Sequence, residues 1–117
     1  MAKYLITQTI ANAENNVRLT VIQNYLCHGI SEEKDVDNDV AQILKDYIDE
    51  IVEQAIEHGD VDLEDADDYR NDKIDARQYG LWRENAKLCD SVEVASAEHG
   101  NGYYTEVMTI YATKISE

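Results

Sequence analysis

The chain has 117 residues, 44% of them hydrophobic, which suits one globular domain spanning residues 1–117. It holds 25 Asp and Glu residues against 10 Lys and Arg, so its formal net charge is −15. This balance argues against direct binding to nucleic acid, which relies on Lys and Arg to neutralise phosphates, and against binding to an anionic membrane surface. The sequence also predicts no transmembrane helix, because its apolar runs are too short.

The cysteines and the N-terminal residues favour a cytoplasmic protein. The first residues lack the apolar core and cleavage site of a signal peptide. Cys27 and Cys89 are too few for a disulfide framework, so we expect reduced thiols. Cys27 lies near the end of a predicted strand, where a buried thiol is expected.

The N-terminal third predicts a β-hairpin. Residues 3–11 and 17–26 are rich in β-branched and aromatic residues, and the second segment alternates apolar and polar side chains. The turn residues NAENN, 12–16, separate the two segments. Gly29 and the polar residues after it are expected to end the second strand.

Residues 36–58 predict a long amphipathic helix, the strongest secondary-structure signal in the chain. Apolar residues recur at i, i+3 and i+4, and Gly59 supplies a C-terminal stop. Val52 and Ile56 fall outside the core arc of the helical wheel. They either pack under the residues that follow the helix or form a self-association seam in a homodimer.

The next two segments carry weaker signals. Residues 60–75 (DVDLEDADDYRNDKID) are mostly acidic and predict a loop, with a short helical turn as an alternative. Residues 76–88 predict a second, weaker helix or an irregular connection, because Gly80 interrupts the apolar pattern.

The C-terminal residues return to strand character. Residues 91–97 alternate in polarity, residues 99–102 (HGNG) form a turn signal, and residues 103–115 are apolar on both faces, as in a central strand. The predicted order is ββα(α)ββ. The predicted class is α+β, with a four-stranded antiparallel sheet of two hairpins and the long helix packed on one face.

The excess negative charge is concentrated in residues 31–75, which hold 18 acids and four bases and have a net charge of −14. On the predicted helix, six acids share one arc with no base within it and Lys45 at its edge. This acidic ridge consists of Asp39, Asp46, Asp49, Glu50, Glu53 and Glu57. Like charges at i, i+3 or i, i+4 destabilise a helix, so a basic partner is favoured over the ordinary alternative of a solvated helix face.

Such a ridge predicts a nucleic-acid mimic. Neighbouring carboxylates about 5–6 Å apart on a helix are spaced on the same order as phosphates along a DNA strand. In composition the chain resembles phage inhibitors of restriction and CRISPR enzymes and some nuclease inhibitors, a likeness of type that implies a viral anti-restriction or anti-CRISPR protein. The expected partner is a basic nucleic-acid-binding protein or nuclease complex. The candidate partner-binding residues are the ridge together with Asp60, Asp62, Glu64, Asp65, Asp67 and Asp68.

Tyr47 and Tyr69 are candidate aromatic anchors for such a partner. Two other classes of function stay open. The first is an acidic interaction module, such as an antitoxin or a phage accessory or structural protein, which would bind through an apolar interface. The second is a small enzyme that uses carboxylates, which would require acids in a concave site.

No motif for a catalytic centre, metal or cofactor emerges, so the sequence favours a non-enzymatic protein. Asp35-Val-Asp37-Asn-Asp39 resembles the start of a calcium loop, but loop positions six and twelve hold Val40 and Asp46 where Gly and Glu are needed. The three histidines share no ligand spacing.

Overall fold

The computed structural model describes residues 2–14, 19–100 and 104–117, with the side chains of 13, 14, 19–23 and 104 left aside. The elements are β1 (Lys3–Glu14), β2 (Leu19–Glu32), α1 (Val36–Glu57), α2 (Ala66–Lys73), β3 (Asp75–Gln78), α3 (Trp82–Ala86), β4 (Ser91–Gly100) and β5 (Tyr104–Ser116). Short 3-10 turns, Glu33–Asp35 and Leu63–Asp65, precede α1 and α2. The predicted turn residues 15, 16, 101 and 102 lie outside the described residues.

The strands form one antiparallel sheet in the order β2-β1-β5-β4-β3. The predicted α+β class and the central position of β5 are confirmed. The predicted number of strands is wrong, since the described sheet has five. The extra strand, β3, pairs Asp75 with Glu98 and Gln78 with Ala95 at one edge of the sheet. All four of its side chains are exposed, so it carries no apolar alternation from which it could be predicted.

The second strand runs further than predicted, because Gly29 does not end it. Ile6 pairs with Gly29 and Thr7 with Cys27, so His28 is an extra residue in a β-bulge. Gly29 has a φ of 109°, a conformation that L side chains rarely adopt, and the strand then continues to Glu32. The Cys27 thiol is exposed, not buried as expected, because β2 is an edge strand.

The hydrophobic core lies between α1 and one face of the sheet. The helix buries residues at the predicted spacing, including Val36, Val40, Tyr47 and Ile51. They share one apolar cluster with buried residues of the neighbouring strands β4 and β5: Val94, Ala95, Ala97, Met108, Ile110 and Ala112. The helix prediction is therefore confirmed.

The sequence around Gly59 ends α1. The Gly59 amide donates to the Ile56 carbonyl and the Asp60 amide to the Ala55 carbonyl, which is the Schellman arrangement. Gly59 has a φ of 78°, in the left-handed region. Glycine is favoured there because a Cβ would be strained.

Gly59→Ala is expected to lower the free energy of unfolding by about 1 kcal/mol, because alanine is strained at positive φ. Gly80→Ala is the matched control. Gly80 lies outside the positive-φ region and has open space around its Cα, so its substitution should be close to neutral. Urea denaturation of both variants measures the difference. Equal stability of the two variants would contradict the assignment of Gly59 as the helix stop.

Candidate acidic interaction surface

The acidic ridge lies on the outer face of α1, opposite the buried residues of the helix. Asp39, Asp46, Glu50, Glu53 and Glu57 are exposed, and Asp49 is half-buried. These side chains take this position because the core residues recur with the helical period, which leaves the intervening positions facing away from the sheet.

Residues 60–73, called the acidic segment below, add a second set of acids. The predicted binding residues in it are all exposed: Asp60, Asp62, Glu64, Asp65, Asp67 and Asp68. Part of this segment is helical, and Ala66 and Tyr69 of α2 are partly buried against the apolar cluster. Val52 is buried and Ile56 partly buried in the same cluster, so they pack inward and leave no self-association seam.

Asp49 differs from the rest of the ridge because it is held by two bases. Its Oδ2 lies 2.6 Å from Lys45 Nζ and its Oδ1 lies 2.6 Å from Arg70 Nη1. These hydrogen bonds, first from Lys45 and then from Arg70, lower the pKa of Asp49. Arg70 belongs to α2, so the carboxylate ties the acidic segment to α1. The helical wheel placed no base within the ridge, but the fold brings Lys45 and Arg70 to this carboxylate.

The other predicted binding residues form no ion pair among the described side chains. Asp39 accepts a hydrogen bond from Ser31 Oγ, and Asp46 accepts one from Gln42 Nε2 at 2.7 Å. Both contacts are with neutral groups and leave the negative charge in place. Most of the described bases lie beside acids elsewhere, in the pairs Lys34–Glu32, Arg77–Asp75, Arg83–Asp37, Lys87–Glu84 and Lys114–Glu117.

Asp37 has a structural role that the sequence did not indicate. It accepts hydrogen bonds from Trp82 Nε1 at 2.8 Å and from Arg83 Nη1 at 3.0 Å, which fasten α3 to the start of α1. Arg83 also stacks over the Trp82 ring, 4.5 Å from its centroid. Burial opposes ionisation of Asp37, but the hydrogen bonds from Trp82 and Arg83 outweigh it and lower the pKa.

Asp37→Asn is expected to lower the free energy of unfolding at pH 7 by about 1 kcal/mol, since a charge-assisted hydrogen bond is weakened. A carboxyl with a lowered pKa stabilises the fold at pH above its unfolded value of 3.8 and loses that contribution as the pH falls through its folded pKa. The difference between variant and wild type should therefore shrink below pH 3.8. Urea denaturation at several pH values tests this, with Asp90→Asn, at an exposed residue outside this contact, as the control.

The two tyrosines proposed as anchors are not free at the surface. The Tyr47 hydroxyl donates to Glu106 Oε1 at 2.6 Å, and burial together with this carboxylate raises the pKa of Tyr47. His99 Nε2 lies 3.4 Å from the same oxygen. Tyr69 is half-buried. Tyr47 therefore connects α1 to the central strand β5, and its predicted anchor role does not fit this position.

Two cavities lie apart from the ridge acids. One, of about 400 Å³, is lined by Glu106 and His99 together with Asn12, Asp60, Tyr69, Lys73 and Gly100. Another, of about 610 Å³, lies between the end of β3, α3 and β4, and is lined by residues 78–81 with Asn85, Val92 and Glu93. The described residues form no group of three or more His, Cys, Asp or Glu that could hold a metal ion.

No family model matches this sequence, and no curated protein or solved structure shows a significant similarity to it. None of the described helices is long and apolar enough to cross a membrane. The fold and the surface define a small α+β protein with an extended acidic helical face.

Proposed function

We propose that this protein is a non-enzymatic inhibitor that imitates nucleic acid and occupies a basic nucleic-acid-binding site on a partner protein. The observation that carries the proposal is the charge of one surface. The ridge and the acidic segment present exposed carboxylates which, apart from Asp49, form no ion pair with the described bases.

The length of α1 and the ion pair that joins the acidic segment to it support this proposal. A helix of 22 residues is about 33 Å long, close to the roughly 34 Å of one turn of B-DNA. The pair between Asp49 and Arg70 holds the acidic segment against the helix before any partner arrives. A surface that is ordered in advance loses less conformational entropy on binding.

The proposed partner is a nuclease complex or another basic DNA- or RNA-binding protein, and the proposed site of action is the cytoplasm. The proposed class is that of phage proteins that block restriction or CRISPR enzymes. Lys and Arg side chains that normally meet phosphates would meet the carboxylates and release their bound anions. The affinity should therefore fall steeply with salt.

Competition for nucleic acid tests the proposal. The protein is titrated against a labelled duplex bound to a restriction endonuclease, and separately against RNA-guided effector complexes. We expect displacement of the duplex at low salt and progressively weaker displacement as salt rises. Failure to displace nucleic acid from several such complexes, even at low salt, would contradict the proposed function.

A second candidate is an interaction module that binds through the open face of the sheet. The pairs Thr7–Tyr111 and Thr9–Thr109 lie on the face opposite α1, and Val107 lies beside them. The side chains of β1 and β5 in this region are uncharged, and those on β5 are partly exposed, while the neighbouring strand β4 places Glu93 beside Tyr111 and Glu98 beside Val107. A partner bound there would show only a weak dependence on salt, which distinguishes it from the mimic.

A further inference from the structure

The second strand occupies an open edge of the sheet. β2 is 14 residues long and its described partner is β1 alone, so one of its two rows of backbone N–H and C=O groups has no neighbouring strand among the described residues. Such a row is a template for a further strand. The opposite edge strand, β3, has only four residues and carries Asp75 and Arg77.

The edge formed by β2 lacks the charges that usually protect edge strands. Between Lys3 and Glu32 the sequence holds only two charged residues, Glu14 and Arg18, although 30% of the chain is charged. Residues 19–31 contain no Asp, Glu, Lys, Arg or Pro. Lys, inward-pointing charges and Pro are the common means of keeping an edge unpaired. The bulge at His28 bends the strand but adds no charge.

Large apolar side chains are exposed along the same strand. Tyr25 is 62% exposed, Ile30 63% and Leu26 40%, and the Cys27 thiol is exposed between them. Leu26 pairs with Gln8 of β1, which pairs with the buried Ile110, so Leu26 lies on the helix side of the sheet. Tyr25 pairs with Thr9 and lies on the other side. Large apolar side chains are therefore exposed on both faces of the sheet at this edge.

We propose that β2 pairs antiparallel with β2 of a second copy of this chain, about a two-fold axis near Cys27. The dimer would contain one sheet continuous across both copies. This inference is independent of the proposed function, because it rests on the open edge of β2 and its exposed apolar side chains and not on the charge of the ridge. An antiparallel edge is complementary to itself in backbone hydrogen bonding, so a second copy needs no additional feature to fit.

The charge distribution favours a second copy at this edge over any other contact between copies. A chain of net charge −15 repels its copies wherever the acids face each other. Ser31, which bonds Asp39 of the ridge, lies four residues from the proposed axis. The two Ser31 residues would then be about 27 Å apart along the strands, at about 3.4 Å per residue. That is about three Debye lengths at physiological salt, so the two Asp39 carboxylates bonded to Ser31 would be largely screened from each other.

Sedimentation equilibrium of the full chain tests the dimer. Pairing of one edge buries less surface than a standard interface, so we expect a dissociation constant in about the micromolar range. Leu26→Lys should raise that constant by about tenfold or more, because it places like charges at the edge. Leu88→Lys adds the same charge at a residue that is 84% exposed elsewhere, and should leave dimerisation unchanged.

Two further measurements keep the proposal testable if Leu26→Lys does not fold. In Cys89→Ser, mild oxidation or a short bismaleimide should link two chains through Cys27, whereas Cys27→Ser with Cys89 retained should remain unlinked. Dimerisation should strengthen with salt, because screening reduces the repulsion between copies.

A monomer at high protein and salt concentration would overturn the proposal. So would a dimer broken by Thr109→Lys on the open face but not by Leu26→Lys.

Discussion

Replacing Glu50, Glu53 and Glu57 together by Lys is expected to abolish displacement of nucleic acid from the partner. The three residues are exposed and form no ion pair with the described side chains. Each close charge pair in a protein interface can contribute about 1.5 kcal/mol or more, and reversal replaces attraction by repulsion. The apparent affinity should fall by at least about two orders of magnitude, measured as the concentration needed to displace half of a labelled duplex.

The matched control moves the same change in charge to another surface. Asp90, Glu93 and Glu98 are exposed acids outside α1 and the acidic segment, and form no ion pair with the described side chains. Their replacement by Lys raises the net charge by the same six units. If net charge alone governed binding, both triple variants would lose affinity equally, which would contradict a mimic built on the ridge. Loss of binding only in the control would move the interface to β4.

The ridge variant should remain folded, which makes a loss of binding interpretable. Glu50 and Glu53 repel each other at i, i+3, and two lysines there repel in the same way. Lys at position 50 would also gain attraction to Asp46 at i, i+4. Asp49 is left unchanged because it holds Arg70 of α2, and its substitution would remove the ion pair between α1 and α2. Far-UV circular dichroism and the urea midpoint establish that the fold is retained.

The sequence predicts α1, the central strand and the direction of the ridge well, because each depends on local periodicity. The apolar spacing from Val36 to Ala55 places one face of the helix in the core, and the acids then fall on the other face. In β5, Met108 and Ile110 are buried against the helix while Thr109 and Tyr111 are partly exposed on the open face. A strand that is apolar on both faces indicates a central position.

The remaining features depend on residues distant in sequence, which periodicity does not reveal. β3 is set by pairing with β4, and its four exposed residues resemble a loop. The ion pair between Asp49 and Arg70 forms because α2 folds back on α1, so a base-free arc on the helical wheel did not exclude it. The bond from Trp82 to Asp37 joins residues 45 positions apart.

The exposure of Cys27 follows from the order of strands in the sheet. Either strand of a hairpin can lie at the centre or at an edge of a sheet, and local sequence does not distinguish the two positions. Here β1 takes the inner position beside β5, and β2 is left at the edge. The long uncharged stretch in residues 19–31 is visible in the sequence, but it becomes informative only once that edge is known.

Trp82→Ala is expected to cause the largest loss of stability of any substitution considered. The side chain is 1% exposed and packs edge-to-face against Tyr4, with ring centroids 5.1 Å apart. Removal of a buried aromatic side chain typically costs about 3–5 kcal/mol, a large fraction of the stability of a small domain. Asp37 would also lose the hydrogen bond from the indole N–H, and Arg83 would lose the ring on which it stacks. Urea denaturation followed by far-UV circular dichroism measures the loss, since the chain has no second tryptophan.

Trp82→Phe and Tyr25→Ala separate the causes of that loss. Phenylalanine keeps an aromatic ring but removes the indole N–H that Asp37 accepts, so we expect a smaller cost than for alanine. When combined with Asp37→Asn, Trp82→Phe should lose less than the sum of the single effects, because both changes disrupt one hydrogen bond. Tyr25→Ala removes a ring that is 62% exposed and should cost under about 1 kcal/mol. If Trp82→Ala were as mild as Tyr25→Ala, α3 would not be anchored to the core as its contacts indicate.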